Sequence, residues 1–324
     1  MSFSSKVKSE LCQHFGNGRH CNISELASIV NICGHIEEKN KGFWIKIQSE
    51  NFDIAKKCFT LLKKTFNIEV EITVRRNSHS KNSRMYFLCI NNTKQSEEIL
   101  KAVGILHIEN GKRVLKRSIP NNIISKSCCK RSYIRGSFLA LGSITDPEKT
   151  YHLEFVGTDL YYIESLKELI SFFDIGMKIV ERKGYYVLYL KEGELIVDLL
   201  NVMGAHVALM DFENVRILKD MRNNLNRIVN CETANLGKII AASVKQIEDI
   251  NYIMKNSDFS KLPDSLIEVA KLRVEYPDAS LKELSQMMDP PVGKSGVNHR
   301  LKKLGIMADE LRREKGDIWW WKKL

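Results

Sequence analysis

Between residues 292 and 304 the chain carries Lys294, Ser295, Asn298, His299, Arg300, Lys302 and Lys303, and no acidic residue. Cationic side chains neutralise phosphate and release its condensed counterions, whereas Asn, Ser, His and Arg offer hydrogen-bonding groups that suit base edges. Val297, Leu301 and Leu304 fall at i, i+4 and i+7, so a helix over 295–304 buries one face and presents the rest. Ser295 fits its N-cap and Gly305 its C-terminal stop. Such a helix suits the major groove of double-stranded DNA, with Lys294, Asn298 and Arg300 as candidates for base or phosphate contact and Lys302 and Lys303 for phosphate. The plainer alternative is a solvated basic face, and the preceding segments argue against it.

Those segments supply what a reading helix needs behind it. Pro263 and Asp264 suit a helix start, and Leu266, Ile267, Ala270 and Val274 form an apolar stripe that ends at Tyr276-Pro277. Ser280-Leu-Lys-Glu283 is a capping box in which hydroxyl and carboxylate satisfy free backbone N–H groups. Leu281, Leu284 and Met288 face inward, Asp289-Pro290-Pro291 stops this second helix, and Gly293 permits a turn into the third. Capping box, tight turn and acid-free helix together predict a helix-turn-helix. Upstream, 213–235 and 237–254 read as two helical runs followed by a polar linker at 255–260. Arg222 and Arg227, in an asparagine-rich stretch, are candidate phosphate contacts and equally candidates for interhelical packing.

The 324 residues have room for two domains, and a hydrophobic fraction of 44% supports a real core. A formal net charge of +11 favours an acidic partner such as nucleic acid. No apolar run approaches the roughly 20 residues of a membrane span, and residues 1–15 lack the apolar block of a signal peptide. The eight cysteines show no CxxC pairing, which suggests no zinc site and treats the thiols as small reduced hydrophobes. A cytoplasmic, nucleoid-associated chain without metal or cofactor is the expectation.

The first two thirds contain an internal repeat of about a hundred residues. Residues 25–36 and 133–144 are apolar helix-like runs with glycine near the end, Gly34 and Gly142. Strands follow at 43–47 and 151–155, amphipathic helices at 51–66 and 159–173, strand pairs at 69–75 with 85–90 and 178–181 with 185–190, and closing helices at Gly104 and Gly204. The order αββαββα, twice over, predicts a pseudo-symmetric α+β domain with two helices at its centre and two antiparallel sheets. Residues 112–131 read as a basic link between the halves.

This arrangement resembles the LAGLIDADG homing endonuclease fold, through the degenerate motifs at 26–34 and 134–142. The resemblance implies close packing of the two helices, for which Ala27, Ser28, Gly136 and Ser137 are suitably small. It also implies a metal-holding acid just before each terminal glycine. Cys33 and Leu141 stand there instead, and neither supplies the hard oxygen that holds Mg²⁺, so no catalytic residue is assigned. Without catalysis, the domain either touches DNA through hairpins carrying Arg75, Arg76, Lys81 and Arg84, or serves as a platform for a protein partner.

The opening segment 1–11, Asn230-Cys-Glu-Thr-Ala-Asn235 and the 294–304 helix together resemble the WhiA family of Gram-positive regulators. That resemblance covers nearly the whole chain. It implies a degenerate LAGLIDADG domain joined to a helix-turn-helix similar to region four of sigma factors. It further implies a transcription factor for sporulation, or a role in cell division and chromosome segregation. The expected domains are 1–212 (repeats at 24–104 and 132–204), a helical linker at 213–260, the helix-turn-helix at 261–312 and a tryptophan-rich tail at 313–324. Internal pseudo-symmetry makes a monomer the expected state. The competing readings are a division-linked adaptor with non-specific DNA binding and an active homing endonuclease.

Overall fold

The computed structural model describes residues 2–39, 42–76 and 84–316, so Lys81 and the three tail tryptophans lie outside the described residues. The chain divides into two compact units, Met1–Asp220 and Met221–Leu324.

In the first unit α1 (Phe3–Gln13) precedes α2 (Arg19–Cys33), followed by β1 (Gly34–Lys39), β2 (Gly42–Ser49), α3 (Phe52–Phe66), β3 (Glu71–Arg76), β4 (Arg84–Ile90) and α4 (Thr93–Ala102). A hairpin of β5 (Leu106–Glu109) and β6 (Lys112–Leu115) leads to the second copy: α5 (Ser127–Leu141), β7 (Gly142–Ile144), β8 (Leu153–Gly157), α6 (Leu160–Ser171), β9 (Lys178–Arg182), β10 (Tyr185–Leu190) and α7 (Gly193–Met203). Both sheets are antiparallel with the same strand order, β1-β2-β4-β3 and β7-β8-β10-β9. The tandem αββαββα expectation therefore holds.

Local chemistry repeats along with topology. Asn51, Asn92 and Asp159 cap α3, α4 and α6 by accepting two backbone N–H bonds each. The matched residues Asn67 and Asp174 both turn the chain in the left-handed region, at φ 50° and 60°, which Asn and Asp tolerate better than other side chains. Lys183-Gly184, at φ 51° and 79°, forms the two-residue hairpin turn between β9 and β10. One continuous core runs through both copies, including Leu26, Ile45, Leu61, Tyr133, Phe138, Leu166, Leu188 and Leu199.

The centre of this unit is the α2–α5 contact, where small residues let two backbones approach. A Cβ on Gly136 would stand 2.6 Å from the Glu25 carbonyl oxygen. Nearby, the Ser28 and Ser137 hydroxyls meet at 2.8 Å. Backbone oxygen has nowhere to go, so Gly136→Ala is expected to lower stability by about 1–3 kcal/mol, the usual cost of overpacking. Denaturant titration with an unchanged midpoint would contradict that close approach.

The second unit begins within α8 (His206–Asn256), which crosses the unit boundary, and continues through α9 (Asp264–Glu275), α10 (Leu281–Met287) and α11 (Lys294–Glu314). Here several sequence expectations need correction. The two helical runs upstream are one helix, because asparagines cost only tenths of a kcal/mol each and no proline intervenes. Pro263 is the N-cap of α9 rather than part of its first turn. Val274 is exposed, and Val269 and Arg273 take its place in the buried stripe with Leu266 and Ala270. The reading helix starts at Lys294 with Gly293 as N-cap, so Ser295 does not cap it, and it passes through Gly305. Ala308, fully buried, extends the apolar stripe past that glycine. A Cβ on Gly305 would lie at an ordinary van der Waals distance, 3.4 Å, from the Asp249 carboxylate, so the helix runs on through the glycine because the buried stripe continues to Ala308.

Candidate nucleic-acid interface

The three-helix module forms around Leu266, Val269, Ala270, Leu284, Met288, Val297, Leu301, Leu304 and Ala308, joined by Ile250 and Ile253 from the end of α8. Polar bonds fix the turns. The capping box of α10 is present as expected: Ser280 N–H donates to Glu283 Oε2 at 2.7 Å, and Glu283 N–H to Ser280 Oγ at 3.3 Å. The Ser280 bonds hold the Glu283 carboxyl below its ordinary pKa. Between α9 and α10, the buried Arg273 guanidinium donates to the carbonyls of Ala279 at 2.7 Å and Pro277 at 3.4 Å. Burial lowers its pKa from the usual arginine value. Sequence reasoning overlooked Arg273, since a charged residue within an apolar stripe looks like solvent-facing punctuation. Between α10 and α11, Val292 N–H donates to Ser285 O at 3.2 Å, and Asp289 N–H donates to Glu268 at 2.7 Å. At the far end of α11, Arg312 bonds Asp249 at 2.7 Å and Asp309 at 3.1 Å; these carboxylates outweigh partial burial and raise its pKa.

On this scaffold α11 carries all seven expected residues of the basic set. Lys294, Ser295, His299, Lys302 and Lys303 are exposed. Asn298 and Arg300 are half-buried, and Arg300 Nη1 lies 3.4 Å from the Met288 sulfur. Val297, Leu301 and Leu304 turn into the core. The helix thus sorts its side chains into an apolar seam and a cationic outer face, and its N-terminal turn adds backbone N–H groups and a partial positive charge. That face can grip phosphates and offer hydrogen bonds to bases. Arg222 and Arg227 are exposed on α8, outside the three-helix module.

In the first unit, Cys33 and Leu141 are the final residues of α2 and α5, followed by the C-caps Gly34 and Gly142. Burial pushes the Cys33 thiol up to about 11, so this position holds a neutral soft group where metal-dependent hydrolysis needs an anionic oxygen. Charge lies deeper along the same helices. Glu25, fully buried, is bound by the Arg135 guanidinium through Nε and Nη2, each at 3.1 Å, and by Lys57 Nζ. Arg135 also donates to Met203 O at 3.0 Å, and Lys57 to the carbonyls of Leu11 and His14 at 2.6 and 2.7 Å. Burial lowers the Lys57 pKa, and Glu25 opposes that shift. Among the hairpin cations, Arg75 and Arg84 are exposed.

Sequence spacing also concealed one cluster. Among the described residues, His20, Cys21, Cys128 and Cys129 form the one group of three or more His, Cys, Asp or Glu side chains whose ligand atoms converge closely enough for a metal. They lie at the opposite ends of α2 and α5 from Cys33 and Leu141. The pairs are separated by over a hundred residues in sequence, so a search for CxxC within one segment passes over them.

Family models match nearly all of this architecture. Residues 19–106 match the WhiA N-terminal LAGLIDADG-like domain, residues 130–222 the WhiA LAGLIDADG-like domain, and residues 225–308 the WhiA C-terminal HTH domain. A probable cell division protein WhiA from Lachnoclostridium phytofermentans is 51% identical over 315 residues, covering 97% of this chain and 100% of that protein. One from Alkaliphilus metalliredigens is 49% identical over 317 residues, covering 98% and 99%. The crystal structure of full-length WhiA from Thermatoga maritima aligns with a TM-score of 0.59 at 23% identity, over 96% of this chain and 99% of that one, which supports the fold. With two LAGLIDADG-like halves, a helix-turn-helix module and near-complete coverage by close relatives, the chain belongs to the WhiA family.

Proposed function

We propose that this protein is a sequence-specific DNA-binding transcriptional regulator acting in cell division and chromosome segregation, and in sporulation where the host sporulates. The observation that carries this reading is the exposed face of α11, with Lys294, Ser295, His299, Lys302 and Lys303 outward on a helix whose other side is locked into a core. Lys302 and Lys303 grip phosphates, and Lys294, Asn298 and Arg300 contact bases or phosphates near the N-terminal end. Arg222 and Arg227 add phosphate contacts. The names of the relatives support the link to division. The LAGLIDADG-like unit acts without catalysis, since Cys33 and Leu141 give no hard ligand, and it serves as a platform for a protein partner. The protein works as a monomer, in the cytoplasm, on the nucleoid.

Genome-wide occupancy mapping tests this reading. A limited set of sharp promoter peaks is expected, together with altered transcription of the adjoining genes when the protein is removed. Diffuse coverage without peaks would replace regulation with architectural DNA binding. Metal-dependent cleavage of plasmid DNA by the purified chain would overturn the non-catalytic assignment.

A further inference from the structure

The N-terminal turns of α2 and α5 meet, and they do so with matched residues. Arg19 and Ser127 open the two helices, so His20 and Cys128 are the second residues and Cys21 and Cys129 the third. The α2–α5 contact in which the Ser28 and Ser137 hydroxyls meet thus also brings these four side chains together. Their ligand atoms all lie within 4.8 Å of one another. His20 Nδ1 is 3.2 Å from Cys21 Sγ, 3.2 Å from Cys129 Sγ and 4.0 Å from Cys128 Sγ. A tetrahedral zinc ion, with bonds of about 2.3 Å to sulfur and 2.0–2.1 Å to nitrogen, holds nitrogen and sulfur about 3.5 Å apart. The three observed spacings bracket that value.

We propose that His20, Cys21, Cys128 and Cys129 form a closed Cys3His zinc site that clamps the leading turns of the two central helices. Three thiolates and an imidazole disfavour hard cations such as Mg²⁺ and suit tetrahedral zinc. Binding displaces one proton from each of three thiols, and the resulting ZnS3N group carries a net charge of −1. Two helix N-termini converge on that charge, each contributing partial positive charge. Cys21 and Cys129 are buried, whereas His20 and Cys128 are exposed, which leaves an entry path from solvent. The loop before α2 makes room: a Cβ on Gly16 would lie 2.5 Å from Cys21 Cβ, and one on Gly18 would lie 2.7 Å from His20 Nε2. Four protein ligands leave no open coordination position, so the ion is structural. The site is separate from the Cys33 and Leu141 positions, which lie twelve residues further along each helix, about 18 Å at the α-helical rise.

The test uses the full chain, free of histidine tags and kept under reductant. Elemental analysis after zinc loading and gel filtration is expected to find one equivalent of zinc. Titration with Co²⁺ is expected to give thiolate charge-transfer bands and intense visible ligand-field bands of a tetrahedral site, bleached by added zinc. Cys21→Ser with Cys129→Ser should abolish both signals. The exposed-side variants Cys128→Ser and His20→Ala, which leave the core untouched, should weaken binding at least tenfold and change the cobalt spectrum. Three results overturn the proposal: no stoichiometric metal on the reduced wild-type chain, a cobalt spectrum unchanged in the exposed-side variants, or a Cys21–Cys129 disulfide in protein prepared anaerobically.

Discussion

Glu25→Ala is expected to destabilise the first unit by about 3–5 kcal/mol, the usual consequence of removing one partner from a buried ion pair. The carboxylate is fully buried and answers two cations at once, Arg135 on the facing central helix and Lys57 on α3. Its removal strands a guanidinium that is 3% exposed and an ammonium that is 0% exposed at the side chain, with only carbonyl and hydroxyl oxygens left to satisfy them. Burial already lowers the Lys57 pKa, and the variant loses the Glu25 carboxylate that opposes that shift, whereas a guanidinium stays charged. Denaturant titration followed by far-ultraviolet circular dichroism measures the loss. The reciprocal prediction is that Lys57→Met in the Glu25→Ala background recovers part of it, because one stranded charge is then gone. A variant as stable as the parent would mean that the network is hydrated and contributes little.

Replacing Lys294, Lys302 and Lys303 together with alanine should have the largest effect on DNA binding. All three are exposed on α11, so the fold has little reason to change. Each phosphate that is no longer neutralised removes about 0.9 from the slope of log K against log salt, and three of them at 0.1 M salt correspond to roughly a 10²–10³-fold loss of affinity. Fluorescence anisotropy on a duplex site at several salt concentrations reads both quantities. The share of the loss due to Lys302 and Lys303 should fall equally on specific and random duplexes, because phosphate carries no sequence information. Undiminished affinity with an unchanged slope would move the interface away from α11.

Much of this architecture was legible because the signals are local. Amphipathic spacing gave the helices at 51–66 and 159–173 to within a residue or two, and Ser280 with Glu283 announced α10. Strands β1 and β7, implied by the αββαββα order, were given no residues because each grows directly from a central helix at Gly34 or Gly142, leaving no loop to mark the change of period. The β5–β6 hairpin, partly inside what reads as a basic link, exposes Ile108 and Leu115 and so shows no clean alternation. Gly305 misled because the buried stripe continues to Ala308 and carries the helix past it, as tertiary packing commonly overrides local preference. At the other end the helix begins one residue before Ser295, at Lys294, with Gly293 as N-cap. The Glu25 network and the His20 cluster depend on pairings across the pseudo-dyad, which no inspection of one segment reveals.

That dyad also sets a schedule for the nascent chain. Glu25 and Arg135 are 110 residues apart, and translation at about 5–20 residues per second delivers the second partner roughly 5–20 s after the first. Throughout that interval the emerging first repeat carries a close-packing helix face without its facing helix, and Glu25 has Lys57 but not Arg135 to answer it. Neighbouring chains on the same polysome display the same face, so premature pairing between copies is the natural folding error. The order of synthesis thus turns internal symmetry into a demand for protection of the half-made protein.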